Sequence, residues 1–174
     1  MSEDLEVKIK EIVDRETDAW DNKDTEKLLS IFHPDMVWPW PRTFDSHDPI
    51  DWVFEVWRFD YQRWKKIYEE FFNSHILVHN KRITQKIVIS DQKDGAFAVV
   101  DVDTLWKNTK TQKDFPWKGR ACKIYTKMSN GEWKLITHTG LLNYNLWSIT
   151  TWSCEYKFKW NVQVLFFKHF KLGH

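Results

Sequence analysis

The sequence predicts an α+β fold, with helices in its first half and a strongly curved antiparallel sheet after them. Apolar residues recur every three or four positions as far as Phe71, then every second position from His75 onward. Two hairpin signals, Asp94-Gly95 and Asn130-Gly131, fall between the alternating runs, which makes those strands antiparallel neighbours.

The elements follow in order. Leu5, Ile9, Ile12, Val13 and Trp20 form the apolar stripe of a first helix, with Ser2 as a candidate cap. Asp24 caps a short second helix carrying Leu28, Leu29, Ile31 and Phe32, which stops near His33-Pro34 because a residue before proline avoids the helical region. Met36 to Trp40 reads as a short strand. Asp48-Pro49 is a helix start, and Ile50, Val53, Trp57, Tyr61, Trp64, Tyr68 and Phe71 continue one face from it, with a possible break at Phe59-Asp60. Period two then takes over at Ile83, Ile87 and Ile89, at Ala96 to Trp106, at Arg120 to Met128 and at Trp133 to Leu141. From Trp152 to Phe166 apolar and polar residues alternate again, an amphipathic strand that needs a sheet, a partner subunit or a membrane surface to cover it.

Length and composition set limits. The chain of 174 residues is one domain long, and 26 basic against 25 acidic residues leave a charge of +1, too little to hold a nucleic-acid backbone or an anionic membrane. No cationic segment precedes an apolar one, so a cytoplasmic protein with no membrane partner is expected. Cys122 and Cys154 are read as reduced. Twelve tryptophans point to a core or cavity built from large flat side chains. There is no CxxC, HExxH, GxSxG or glycine-rich phosphate loop, and His75 with His79 lacks a third metal ligand, so neither metal nor cofactor is expected.

Residues 5 to 144 resemble the nuclear transport factor two-like (cystatin-like) superfamily, most closely its SnoaL-like and ketosteroid-isomerase-like branch. The carriers are Ala19-Trp20-Asp21-Asn22-Lys23-Asp24, Phe32-His33-Pro34-Asp35-Met36-Val37-Trp38, Trp117-Lys118-Gly119-Arg120 and Gly131-Glu132-Trp133-Lys134-Leu135-Ile136. The resemblance implies helices lying across the sheet around a deep cone-shaped pocket, usually in a homodimer. It covers cofactor-independent isomerases, cyclases and dehydratases as well as non-catalytic assembly modules, so it assigns no reaction. Residues 1–144 are then the domain and 145–174 an extension. The isomerase's catalytic groups are not kept: its basic aspartate matches Trp40 before Pro41, its oxyanion-hole tyrosine falls at Glu16, and its protonated aspartate falls near Cys122 or Lys123. In a kinase association domain of the same superfamily the strand histidines match Thr137 and Thr139.

Each candidate residue carries two readings. Glu16 lies on the first helix's apolar stripe, where desolvation raises a carboxyl pKa and suits it to acid–base work; otherwise it is a stripe-edge glutamate paired with a lysine. Asp101 and Asp103 share a strand face and form either a second carboxylate pair or a solvated face, since the opposite face (Ala98, Val100, Val102, Trp106) is more apolar. His138, on a face with Ile136 and Gly140, is a proton shuttle or a hydrogen-bonded structural residue. Trp20, Trp38, Trp40, Trp57 and Tyr61 wall a cavity for a small hydrophobic or aromatic ligand, or pack as core. Arg42 and Arg58 are candidates for a ligand carboxylate or lie at the surface. The leading expectation is a small-molecule-binding protein, with proton-transfer catalysis on carboxylates as its enzymatic form. The alternative is a non-catalytic homo-oligomerisation module built on the convex sheet face and the extension.

Overall fold

The computed structural model describes residues 2–41, 52–54 and 56–139. The extension from 145 onward, Cys154, Arg42 and the Asp48-Pro49 helix start lie outside the described residues. Helix α1 (Ser2–Asp21) begins at the expected cap residue itself, and α2 (Thr25–Ser30) is capped by Asp24, which accepts from the Lys27 backbone N–H at 2.9 Å. Phe32, expected in the second helix, opens strand β1 (Phe32–Val37), which runs through His33-Pro34. A proline is tolerated there because β1 is an edge strand. The expected strand to Trp40 is divided: β1 stops at Val37, and Trp40–Pro41 (β2) pairs antiparallel with Trp52–Val53 (β3).

That second pairing corrects the long third helix. Residues 52–53 are extended, and Trp57 takes φ 58, a left-handed conformation that no helix continues through. The expected break is instead the start. Asp60 accepts from the Arg63 backbone N–H at 2.8 Å and caps α3 (Tyr61–Ser74).

Strands β4 (His75–Ile89), β5 (Gly95–Asn108), β6 (Asp114–Lys127) and β7 (Trp133–His138) are successive antiparallel neighbours, and β1 adds parallel to β7 in the order β1-β7-β6-β5-β4. The curled sheet is therefore mixed, because β1 returns through the helical layer to its far edge. Gly131 (φ 87) supplies the left-handed residue of the β6–β7 turn.

Register shifts matter more than pairing here. Side chains alternate with period two, so a one-residue bulge moves everything after it to the other face. In β4 the shift between Thr84 and Lys86 separates residues of equal parity: Ile83, opposite Asp101, is 61% exposed, whereas Ile87, opposite Ala98, packs on the core. A second shift, between Ile124 and Tyr125 on β6, puts His138 opposite Lys123 and buries it with Trp133 and Leu135.

The concave face of β5 presents Ala96, Ala98, Val100 and Val102, small enough to let α1 lie close, and ends at Trp106. Trp20 of α1 is the hub of the interior, meeting Tyr68, Phe71, Phe72, Trp106 and Trp117 edge-on with ring centroids 5.2–6.3 Å away. Most of the tryptophan excess on these elements is thus packing. The space between α1, α3 and the sheet is filled by rings, and the cavity that remains beside Glu16 is small. Among the described residues no helix is long and apolar enough to cross a membrane.

Candidate functional site

Glu16 lies one turn before Trp20, on the side of α1 that faces the sheet, and three strands deliver partners to it. Lys123 of β6 donates through Nζ to both carboxylate oxygens, at 2.6 and 2.5 Å. Arg82 of β4 donates through Nη1 to Oε1 at 2.9 Å and through Nε to Asn80 Oδ1 at 3.0 Å, with its guanidinium 5.6 Å from the Trp20 ring centre. These side chains are 3% (Glu16), 6% (Arg82) and 0% (Lys123) exposed. His138 completes the group from β7, its ring 4.5 Å from that of Trp38 and its Nδ1 bonded to the Thr139 carbonyl. Glu16, Arg82 and His138, with Trp20, Trp38, Val102 and Trp117, bound a cavity of about 20 Å3, room for one oxygen-sized group.

The electrostatics reverse one expectation. Burial does push the Glu16 carboxyl up, but Lys123, Arg82 and His138 together outweigh it and hold the group at about 2. Burial pulls Lys123 down to about 8, against the pull of Glu16, so the pair is ionised at neutral pH. Burial, with Lys123 beside it, lowers His138 to about 3 and keeps its ring neutral. A carboxylate fixed by two cations and a histidine that resists protonation are both weak bases near neutrality. The arrangement suits holding a polar group in place.

Several candidates stand elsewhere. Asp101 and Asp103 point away from Glu16, on the convex face of β5. Asp101 accepts two bonds from Arg120, at 2.7 and 3.0 Å, and one from Gln85 at 2.7 Å; Asp103 accepts from His79 and Lys118, both at 3.1 Å. Both carboxyls are lowered, Asp101 chiefly by Arg120 and Asp103 chiefly by His79. The apolar character of the opposite face decided this side, so they do not join Glu16 in an acidic site. Trp57 is 69% exposed, in an open surface groove with Val37, Phe54 and Arg58, so it is not a wall of the interior. Tyr61 bonds Glu26 on the surface, and Arg58 pairs with Asp35. The backbone of Trp40 belongs to β2, and its side chain lies outside what the structure describes. Of the other four aromatic residues expected at the cavity, Trp20 and Trp38 line it.

Arg82 was not singled out by the sequence reading, and Lys123 and Trp117 entered it only through the family resemblance, not as site residues. Lys123 did carry a signal: it alternates with Ala121 and Tyr125 on what period two makes a buried face. Arg82 carried none, because the shift between Leu77 and His79 determines its face. Among the described residues no three His, Cys, Asp or Glu side chains converge to hold a metal ion.

No protein-family model matches the sequence, and no curated protein is similar to it. Solved structures do match the fold. A nuclear transport factor 2-like superfamily protein from Salmonella enterica aligns with TM-score 0.59 at 14% identity, over 85% of this chain and 99% of its own. A ketosteroid isomerase-like protein from Erwinia carotovora aligns with TM-score 0.57 at 13% identity, over 75% and 90%. A nuclear transport factor 2-like protein from Rhodospirillum rubrum aligns with TM-score 0.56 at 15% identity, over 78% and 98%. At these identities the likeness concerns fold and not activity. Helices across a curled five-stranded mixed sheet, together with these alignments, give the chain the fold of the nuclear transport factor 2-like superfamily.

Proposed function

We propose that this protein binds a small, flat, mainly apolar molecule inside the cone, with the ligand's one polar group in the cavity beside Glu16, Arg82 and His138. One observation carries this reading: a buried Glu16–Lys123–Arg82 cluster bordering an aromatic-walled cavity. Burying three charges costs several kcal/mol of desolvation per ion, and apolar residues of similar size usually stabilise a core as well or better. Such a cluster is retained more readily where a ligand uses it. The cavity admits only the polar group, so the apolar body takes the space of Trp38, which lies just beyond the end of β1. With Glu16 and His138 both weak bases, binding is favoured over proton-transfer catalysis. In this reading the protein works in the cytoplasm.

A thermal-shift screen of wild type and Val102→Phe against naphthalene-, steroid- and polyketide-like compounds tests it. Binding to the folded state raises Tm. The expected result is a saturable rise in wild type that the cavity-filling variant loses. No response to any compound removes the ligand-binding reading.

Self-assembly has its own support and is compatible with binding. Val88, Phe97 and Ile124 stand opposite one another on three adjacent strands, all directed outward and 36–49% exposed. A second copy of the chain fits this strip, because the flanking Asp101–Arg120 and Asp103–Lys118 pairs are already neutralised and add no repulsion. Wild type is expected to scatter light as a dimer and Phe97→Lys as a monomer. A monomeric wild type, or a variant that stays dimeric, counts against this surface.

A further inference from the structure

We propose that the polar group accepted by the interior cavity is a hydroxyl, which makes the ligand class phenols, enols and alcohols and excludes carboxylates and ethers. The proposal rests on the ligand-binding reading above and adds the chemistry of the recognised atom.

The argument begins at His138. Its Nδ1 is bonded to the Thr139 backbone oxygen, and a carbonyl oxygen only accepts, so Nδ1 carries the hydrogen. In a neutral ring Nε2 is then a bare lone pair that acts as an acceptor only. Among the described residues Nε2 has no hydrogen-bond partner. Arg82 borders the same cavity and is its opposite: a permanent cation with donors and no acceptor. Its Nε is taken by Asn80 and its Nη1 by Glu16, while Nη2 has no hydrogen-bond partner among the described residues.

Glu16 borders the cavity too, but both its oxygens already accept from Lys123 and Arg82, so what is left for a ligand is one neutral acceptor and one cationic donor, in a volume of about 20 Å3 that fits one oxygen. A hydroxyl satisfies both at once, donating to His138 Nε2 and accepting from Arg82. An ether or ketone oxygen accepts from Arg82 but leaves the His138 lone pair unmet. A carboxylate does the same, adds repulsion from the ionised Glu16, and brings a second oxygen for which there is no space. An ammonium group has no lone pair to accept from Arg82 and meets it as a like charge. Leaving a buried acceptor unpaired is expensive, so discrimination of tenfold or more is expected.

The test is calorimetric titration of the full chain with 2-naphthol, 2-methoxynaphthalene and 2-naphthoate, which share one ring system. The naphthol is expected to bind at least tenfold more tightly than either of the others. In His138→Phe, which keeps a flat ring and removes the acceptor, the naphthol-to-ether ratio is expected to fall to about one. Because each ratio is taken within one protein, partial destabilisation of the variant does not move it. Equal binding of naphthol and ether by wild type, or tighter binding of naphthoate, overturns the hydroxyl assignment and leaves the ligand reading standing. An unchanged ratio in His138→Phe removes His138 as the acceptor. If none of the three binds, the assignment and the ligand reading fall together.

Discussion

A Glu16→Gln protein is expected to lose about 3–5 kcal/mol of unfolding free energy, because the substitution leaves Lys123 and Arg82 buried side by side without their anion. Lys123→Met should cost far less, since it leaves one charge-balanced pair, Glu16 with Arg82. Urea titration of both variants and of the double mutant measures the asymmetry. Equal losses would mean that the three groups do not act as a charge cluster. The same cluster sets the acid limit of the fold. The unfolded chain protonates His138 below its ordinary 6.5 and Glu16 below 4.5, whereas the folded chain resists until about 3 and about 2. Between these values the unfolded state binds more protons, so stability falls as pH falls, gently below 6.5 and more steeply below 4.5. In Glu16→Gln the steep part should flatten.

Trp20→Ala is expected to be the most damaging single truncation in the interior, at about 4–5 kcal/mol or enough to prevent folding. Five aromatic neighbours lose their common partner, and the Arg82 guanidinium loses the ring beneath it. Trp20→Phe keeps part of the edge contacts and should fall between alanine and wild type. Thermal melts of the three proteins decide it. A loss near 1 kcal/mol in the alanine variant would show that the rings around Trp20 repack freely and that the core is not built on it.

Both predictions concern residues that the sequence had marked, although their roles came from elsewhere. Trp20 and Glu16 are legible on the stripe of α1, since helical periodicity needs only local spacing. The four strands from β4 to β7 and two of the three turns that join them are legible for the same reason, as is the side of β5 on which Asp101 and Asp103 sit; the turn between β5 and β6, and the start of β6 at Asp114, were not. Where period two holds without interruption, as it does along β5, the sequence identifies the buried face.

Chain position alone failed wherever one residue was inserted or one conformation was exceptional. The left-handed Trp57 and the cap at Asp60 replaced a helix that spacing had started at Asp48, with the break foreseen at Phe59-Asp60 becoming its true start. The shift opposite Ile124 turned His138 from the side of Ile136 to that of Lys123, and those in β4 set the faces of Arg82 and Ile83. The resulting cluster joins α1, β4, β6 and β7, with Glu16 and Lys123 separated by 107 positions. By itself the sequence determined an α+β chain with an amphipathic first helix, an aromatic interior and a curved sheet, because these follow from short-range periodicity and apolar content. Only the tertiary structure decided that Glu16 is an ionised anchor with a lowered pKa, because that depends on which distant cations the bulged strands bring to it.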